Sequence, residues 1–206
     1  MKISISRTTT FPTRLVLLTR EEAARSTGRP VDFSGDAGEV MVSYGKRTAD
    51  IFCGLGGSRE RTPAAVRNAA AKGIRRALEL KRGRVSLVLP AEARAGFEGA
   101  LLGAYDFVKY KSEKPVRLDA LECVGTALPL RQARAVEAVC SAVSYARDLV
   151  NENASVMTPR RLAEEARAVA RQGGMRLTVL DEKEIARKGL GLLAVVGQGS
   201  ATPPRL

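Results

Sequence analysis

Four groups of residues in this chain carry enough chemical character to suggest a function. The first is Gly54-Leu55-Gly56-Gly57, which follows an apolar run and precedes the helix-start pair Thr62-Pro63. Glycines at a strand-to-helix turn can aim main-chain N–H groups at a phosphate, or can simply relieve backbone strain. A dinucleotide fingerprint would need its third glycine at 59, where Arg59 stands. Gly54, Gly56 and Gly57 are therefore the candidate phosphate loop. The second group is Arg67, Lys72, Arg75 and Arg76, expected on one exposed helix face and suited to a nucleic-acid backbone, with DNA as the possible partner. A solvated face is the simpler use of such residues. The third group is Cys53, Cys123 and Cys140, too far apart in sequence for a Cys-x-x-Cys clip and expected as reduced, buried thiols, although spacing leaves pairing open. The fourth is Glu164, Glu165, Asp181, Glu182 and Glu184, which fit a helix face and a helix cap.

What is missing narrows the chemistry further. The 206 residues include no His, so Ser-His-Asp and Cys-His catalysis and Cys/His zinc fingers are excluded. Ser4, Ser6 and the Thr8-Thr9-Thr10 run have no such base to activate them. The formal charge is +12, of which +9 falls in residues 1–150, and 59–84 hold nine basic residues against two acidic ones. Aromatic residues make up only 4%, too few to favour base stacking on single strands. No apolar run approaches the length of a membrane span, and no targeting segment is visible, so the expectation is a cytoplasmic protein without a membrane partner.

The elements that would position these residues alternate. Strands are expected at Ile3–Ile5, Arg14–Thr19, Val40–Val42, Ala49–Cys53, Arg84–Leu89 and Leu118–Val124, with Gly45-Lys46-Arg47 as a hairpin turn and Pro90 ending the fifth. Residues 20–38 suggest loop with a short helix. Helices are expected over 63–80, from Ala91 to Tyr105, and from Arg131 to Glu152. In the last of these, Ala135, Val139, Ala142, Val143, Ala146, Leu149 and Val150 are expected to form the buried face. The alternation predicts an α/β fold with a mixed sheet and helices on both faces. Beyond it, the pattern predicts a helix at 159–172, a strand at Arg176–Leu180, a short helix capped by Asp181 and a strand at Leu192–Val196: an incomplete αβαβ start of a second α/β domain. The expected organisation is an N-terminal domain at 1–130, a linker helix and connector at 131–157, and a truncated catalytic-domain start at 158–206.

Several stretches resemble the leucyl (cytosol) aminopeptidase family. They are Gly54-Leu55-Gly56, Glu98-Gly99-Ala100-Leu101-Leu102-Gly103-Ala104-Tyr105 with Tyr110-Lys111-Ser112, Ala146-Arg147-Asp148-Leu149-Val150-Asn151-Glu152, Thr158-Pro159-Arg160-Arg161-Leu162-Ala163, Gly189-Leu190-Gly191-Leu192-Leu193-Ala194-Val195, and Gln198-Gly199-Ser200 with Pro203-Pro204-Arg205-Leu206. They run in the family's order over residues ~50 to 206. Asn153-Ala154-Ser155 departs from the Pro that the family often carries near the Asn.

The resemblance implies a macro-domain-like N-terminal domain and a hexameric, two-metal aminopeptidase acting on peptide substrates. Two divalent ions, zinc or manganese, would be held by carboxylates and one Lys. In the family those ligands lie on a Gly-rich stretch bearing Lys and Asp and on an Asp-x-Glu-Gly-Arg stretch, neither of which occurs here. The expectation is therefore that this chain holds no catalytic or metal residue, binds no cofactor, is inactive alone, and serves assembly and access to the active site. A basic nucleic-acid- or nucleotide-binding module is the alternative.

Overall fold

The computed structural model describes residues 1–89, 92–125 and 128–206. The expected strand stop at Pro90 and helix start at Ala91 lie outside the described residues. Two compact units are present, Met1–Ser144 and Tyr145–Leu206.

The first unit is built on six strands, β1 (Lys2–Ser6), β2 (Thr13–Leu18), β3 (Val40–Tyr44), β4 (Ala49–Gly54), β5 (Arg84–Val88) and β6 (Ala120–Val124). Their order is β1-β6-β5-β2-β4-β3. All neighbours run parallel except β3, which lies antiparallel on β4 at the edge, so the sheet is mixed as expected. Alternation along the strands separates two faces. One face sends Leu15, Leu17, Ile51, Cys53, Val85, Leu87, Leu121 and Cys123 into the main core. There they meet α2 (Pro63–Glu79) through Val66, Ala70 and Ile74, and α3 (Ala93–Gly103) through Phe97 and Ala100. The other face is covered more thinly, by Ala23 of α1 (Arg20–Arg25) and by Phe33, which packs on Phe52 with ring centroids 5.7 Å apart.

Local chemistry sets the helix starts. Thr62 accepts from Ala65 N ahead of Pro63, and Thr19 and Glu22 form a reciprocal capping box at α1. Residues 106–117 form an irregular connector, in which Phe107 and Tyr110 meet edge to face.

Helix α4 (Leu130–Asn151) corrects one expectation. Its buried residues are Ala133, Val136 and Cys140. The residues expected to be buried face solvent instead: Ala135, Val139, Ala142, Val143, Ala146 and Val150 are exposed, and Leu149 is half-buried. Both stripes recur at helical spacing, and period alone does not say which stripe meets a core.

The second unit contains α5 (Pro159–Gly173), α6 (Glu182–Arg187) and α7 (Gly191–Gly197). Thr158 caps α5 by accepting from Arg161 N, and Gly174 closes it at φ 62°. Two expected strands are absent among the described residues, so the αβαβ expectation for this unit is corrected. Residues 176–180 form no regular secondary structure, and among them only Leu180 exchanges main-chain bonds, with Leu206 (2.6 and 3.1 Å). Residues 192–196 lie inside α7. A strand needs a neighbour for its N–H and C=O groups, whereas a helix satisfies its own. This unit supplies no sheet among the described residues, and the apolar run at 192–196 coils, leaving Leu192 and Val196 at least 80% exposed.

Candidate functional site

The glycine loop sits where β4 ends, and its amides already have acceptors. Gly54 N donates to Glu39 O (2.9 Å), Leu55 N to Leu18 O (2.9 Å) and Gly56 N to Gly35 O (2.9 Å). Gly57 N donates to the Glu60 carboxylate (3.0 Å), and Ser58 N to that of Glu21 (3.0 Å). Gly56 needs its glycine for φ +82°, and Gly54 lies against the Gly35–Asp36 main chain where no Cβ fits. Main-chain carbonyls thus take up the amides of residues 54–56, and the carboxylates of Glu60 and Glu21 take up those of 57 and 58. Gly54, Gly56 and Gly57 build a turn that docks the 35–39 segment.

The basic residues of α2 do not form one stripe. Arg67 reaches Glu98 of α3 (3.0 Å) and is only partly exposed. Lys72 reaches the opposite way, to Gly38 O (3.5 Å), and Arg76 pairs with Glu79 (3.0 Å). Arg75 is exposed. A phosphate backbone lying along the helix would meet these cations on diverging sides, with two of them already neutralised.

The carboxylates after residue 158 are likewise engaged locally. Glu164 pairs with Arg160 (3.2 Å), and Glu165 accepts from Tyr145 Oη (2.6 Å) and from Arg161. Asp181 and Glu184 form a capping box, and Glu182 pairs with Arg205. No three Cys, Asp or Glu converge on a possible metal position among the described residues. Among the described residues these carboxylates do not fit a metal pair. The three cysteines are buried thiols outside any disulfide, and burial pushes the Cys53 and Cys123 thiols up to about 12, so neither is a nucleophile near neutral pH. Cys140 forms part of an open groove of 140 Å³ between α3 and α4, with Arg94, Glu98 and Gln132 on its walls.

A polar row that the sequence patterns above did not single out crosses the second face of the sheet. Register places Ser4, Glu122, Ser86, Arg14, Asp50 and Ser43 side by side on β1, β6, β5, β2, β4 and β3. Arg14 and Asp50 form a two-pronged ion pair, worth most where it is partly shielded from water. Glu122 is 2% exposed and accepts from Ser86 Oγ (2.6 Å), Thr10 N (2.8 Å) and Thr10 Oγ1 (2.9 Å). Phe11 N donates to Ser86 Oγ (3.2 Å), and Arg84 lies over the Phe11 ring. This row straps the β1–β2 connection onto the sheet. A signal existed in the sequence: single polar residues interrupt apolar strands at matching positions, as in Val85-Ser86-Leu87 and Leu121-Glu122-Cys123.

Fold and site together define a class of α/β domain whose polar groups hold the structure together and, among the described residues, present no metal-binding cluster. The chain belongs to the cytosol aminopeptidase family: residues 29–114 match the family's N-terminal domain and residues 144–206 its catalytic domain. A probable cytosol aminopeptidase of Syntrophotalea carbinolica is 34% identical over 208 residues, covering 87% of this chain and 41% of the relative. The chain thus spans about two fifths of the length of the curated relatives it matches. Among solved structures, the bottromycin maturation enzyme BotP aligns at 27% identity with a TM-score of 0.77, covering 95% of this chain and 45% of its own; it has also been solved in complex with Mn. A tomato leucine aminopeptidase variant shares the fold at TM-score 0.85, covering all of this chain and 49% of its own, with 21% identity. No described helix is long and apolar enough to cross a membrane.

Proposed function

We propose that this chain is the N-terminal α/β domain and the opening catalytic segment of a two-metal aminopeptidase that removes N-terminal residues from peptides. The observation that carries this reading is the order of the two matches, N-terminal domain then catalytic domain, along one chain. The manganese complex of a structural relative supports a divalent metal, manganese or zinc, in the whole enzyme. Because no cluster among the described residues fits a metal pair, no step of the hydrolysis is assigned to them. Their role is structural: the sheet unit contributes to assembly, for which a homo-hexamer is the proposed form, and to access to the active site. A duplex-DNA reading has weaker support, since Arg67 and Arg76 are already ion-paired.

Two assays test this. The 206-residue chain with added Mn²⁺ should release no chromophore from a leucine chromogenic amide, and metal-dependent turnover by the chain alone would overturn the structural role. A chimera joining residues 1–206 to the remaining catalytic residues of the Syntrophotalea relative should hydrolyse the same amide. A folded, metal-loaded chimera without turnover would overturn the aminopeptidase assignment.

A further inference from the structure

Strand β3 closes one edge of the sheet, and no described strand pairs with its outer side. At the two ends of the β3–β4 ladder, Gly45 N donates to Thr48 O (3.0 Å) and Gly54 N donates to Glu39 O (2.9 Å). Alternation along an antiparallel ladder then turns Met41 and Ser43 inward to β4 and directs the N–H and C=O groups of Val40, Val42 and Tyr44 outward. Among the described residues, no main-chain partner takes up those groups.

Edges left in this state are templates for another strand unless charge, proline or a bulge blocks them. Val40-Met41-Val42-Ser43-Tyr44 contains no charge and no proline, and Tyr44 is 64% exposed. The opposite edge differs: β1 starts at Lys2 and is followed by Arg7.

We propose that β3 is a self-association edge, through which two copies of this chain pair antiparallel about a two-fold axis at Val42 and join their sheets into one. The outward spacing fits this register. Centring the axis on Val42 sets Val42 opposite Val42 of the second copy and Val40 opposite Tyr44, so every outward N–H meets an outward C=O. The side-chain pairs are apolar with apolar on the face that carries Val40, Val42 and Tyr44. Charge selects the antiparallel orientation. Glu39, whose carboxylate accepts from Ser34 Oγ and Gly35 N and keeps its charge, lies before β3, and Lys46 and Arg47 lie after it, so the acidic end of each strand meets the basic end of the other; Asp36 is already paired with Arg20 and adds nothing to the match. An extended peptide of another protein could use the same backbone groups, but it would lack this reciprocal charge match.

This pairing does not depend on the aminopeptidase reading, and either can fail without the other. Sedimentation velocity of the 206-residue chain, in a dilution series reaching about 100 μM, should show a reversible dimer. Two variants at exposed positions should each raise its dissociation constant about tenfold or more: Tyr44→Lys, and the double variant Lys46→Glu/Arg47→Glu, the latter most strongly at low salt. Paired Met41→Cys and Ser43→Cys substitutions face each other across the axis in the non-hydrogen-bonded register. On mild oxidation they should give a disulfide-linked dimer, and the buried native thiols will not compete. A chain that stays monomeric throughout the series overturns the proposal. So does a dimer that all of these edge variants leave unchanged while circular dichroism shows them folded. The charge-reversed turn residues are exposed, which keeps the test decisive if Tyr44→Lys fails to fold.

Discussion

Gly99→Val is expected to destabilise the sheet unit by about 3 kcal/mol and to lower its melting temperature by roughly 8 °C. Gly99 and Gly103 stand four residues apart on α3 and therefore on one face. They meet Arg67 and Ala71, also four apart, on α2. A Cβ at 99 would lie 2.8 Å from Arg67 Cα and C, and one at 103 would lie 2.5 Å from Ala71 Cα. These neighbours are main chain in a helix, which cannot rotate aside as a side chain can. At an uncrowded helix position, removing a glycine gains up to about 1 kcal/mol. The crowding at 99 reverses that sign. Gly191 offers the contrast: it opens α7 with free space where a Cβ would stand, so Gly191→Ala should be neutral or slightly stabilising. Thermal unfolding of Gly99→Ala, Gly99→Val and Gly191→Ala, followed by circular dichroism, checks the order. A Gly99→Val protein that melts with the wild type would show that α2 and α3 do not pack through backbone contact.

The strands of the sheet unit and the capped helices of both units were legible in the sequence because each had a local cause. Thr62-Pro63, Thr158-Pro159 and Asp181 mark helix starts by chemistry within four residues, and the helices begin there. The apolar runs of β2, β4 and β5 read as strands because both faces of a parallel strand are covered. What was not legible depends on partners distant in the chain. Residues 192–196 have strand composition, but no described strand lies in their unit, and composition without a partner yielded a helix. Helix α4 carries two apolar stripes, and only the surroundings determine that Ala133, Val136 and Cys140 are the buried one. The glycine loop reads from sequence as a turn that needs glycine. Its phosphate-like acceptors, Glu60 and Glu21, become visible only when folding brings those carboxylates onto the loop amides. The acidic partner of Arg67 is 31 residues away, beyond the reach of helical periodicity.

Glu122 carries the second large effect. Glu122→Leu should cost about 3 kcal/mol, because Ser86 Oγ loses its acceptor in the buried interior and Thr10 N and Thr10 Oγ1 lose theirs at its partly exposed margin. Glu122→Gln should cost less, about 2 kcal/mol: one amide oxygen still accepts, while the NH₂ group confronts donors. The charge also gives the interaction a pH signature. Burial pushes the Glu122 carboxyl up, but the hydrogen bonds from Ser86 and Thr10 outweigh it and hold the group below its ordinary value. A carboxylate depressed in the folded state contributes its full stabilisation above the ordinary carboxylate pKa. That contribution is lost as pH falls through the lower folded value. Denaturant melts between about pH 6 and pH 3 should therefore show the wild type losing more stability on acidification than Glu122→Gln, which has no proton to take up at this position. Equal pH slopes for the two proteins would mean that Glu122 is not the charged acceptor. Loss of protection of the Thr10 amide in hydrogen exchange of Glu122→Gln, with the main core unchanged, would locate the effect in the strap over β5 and β6 and separate it from a general loss of packing.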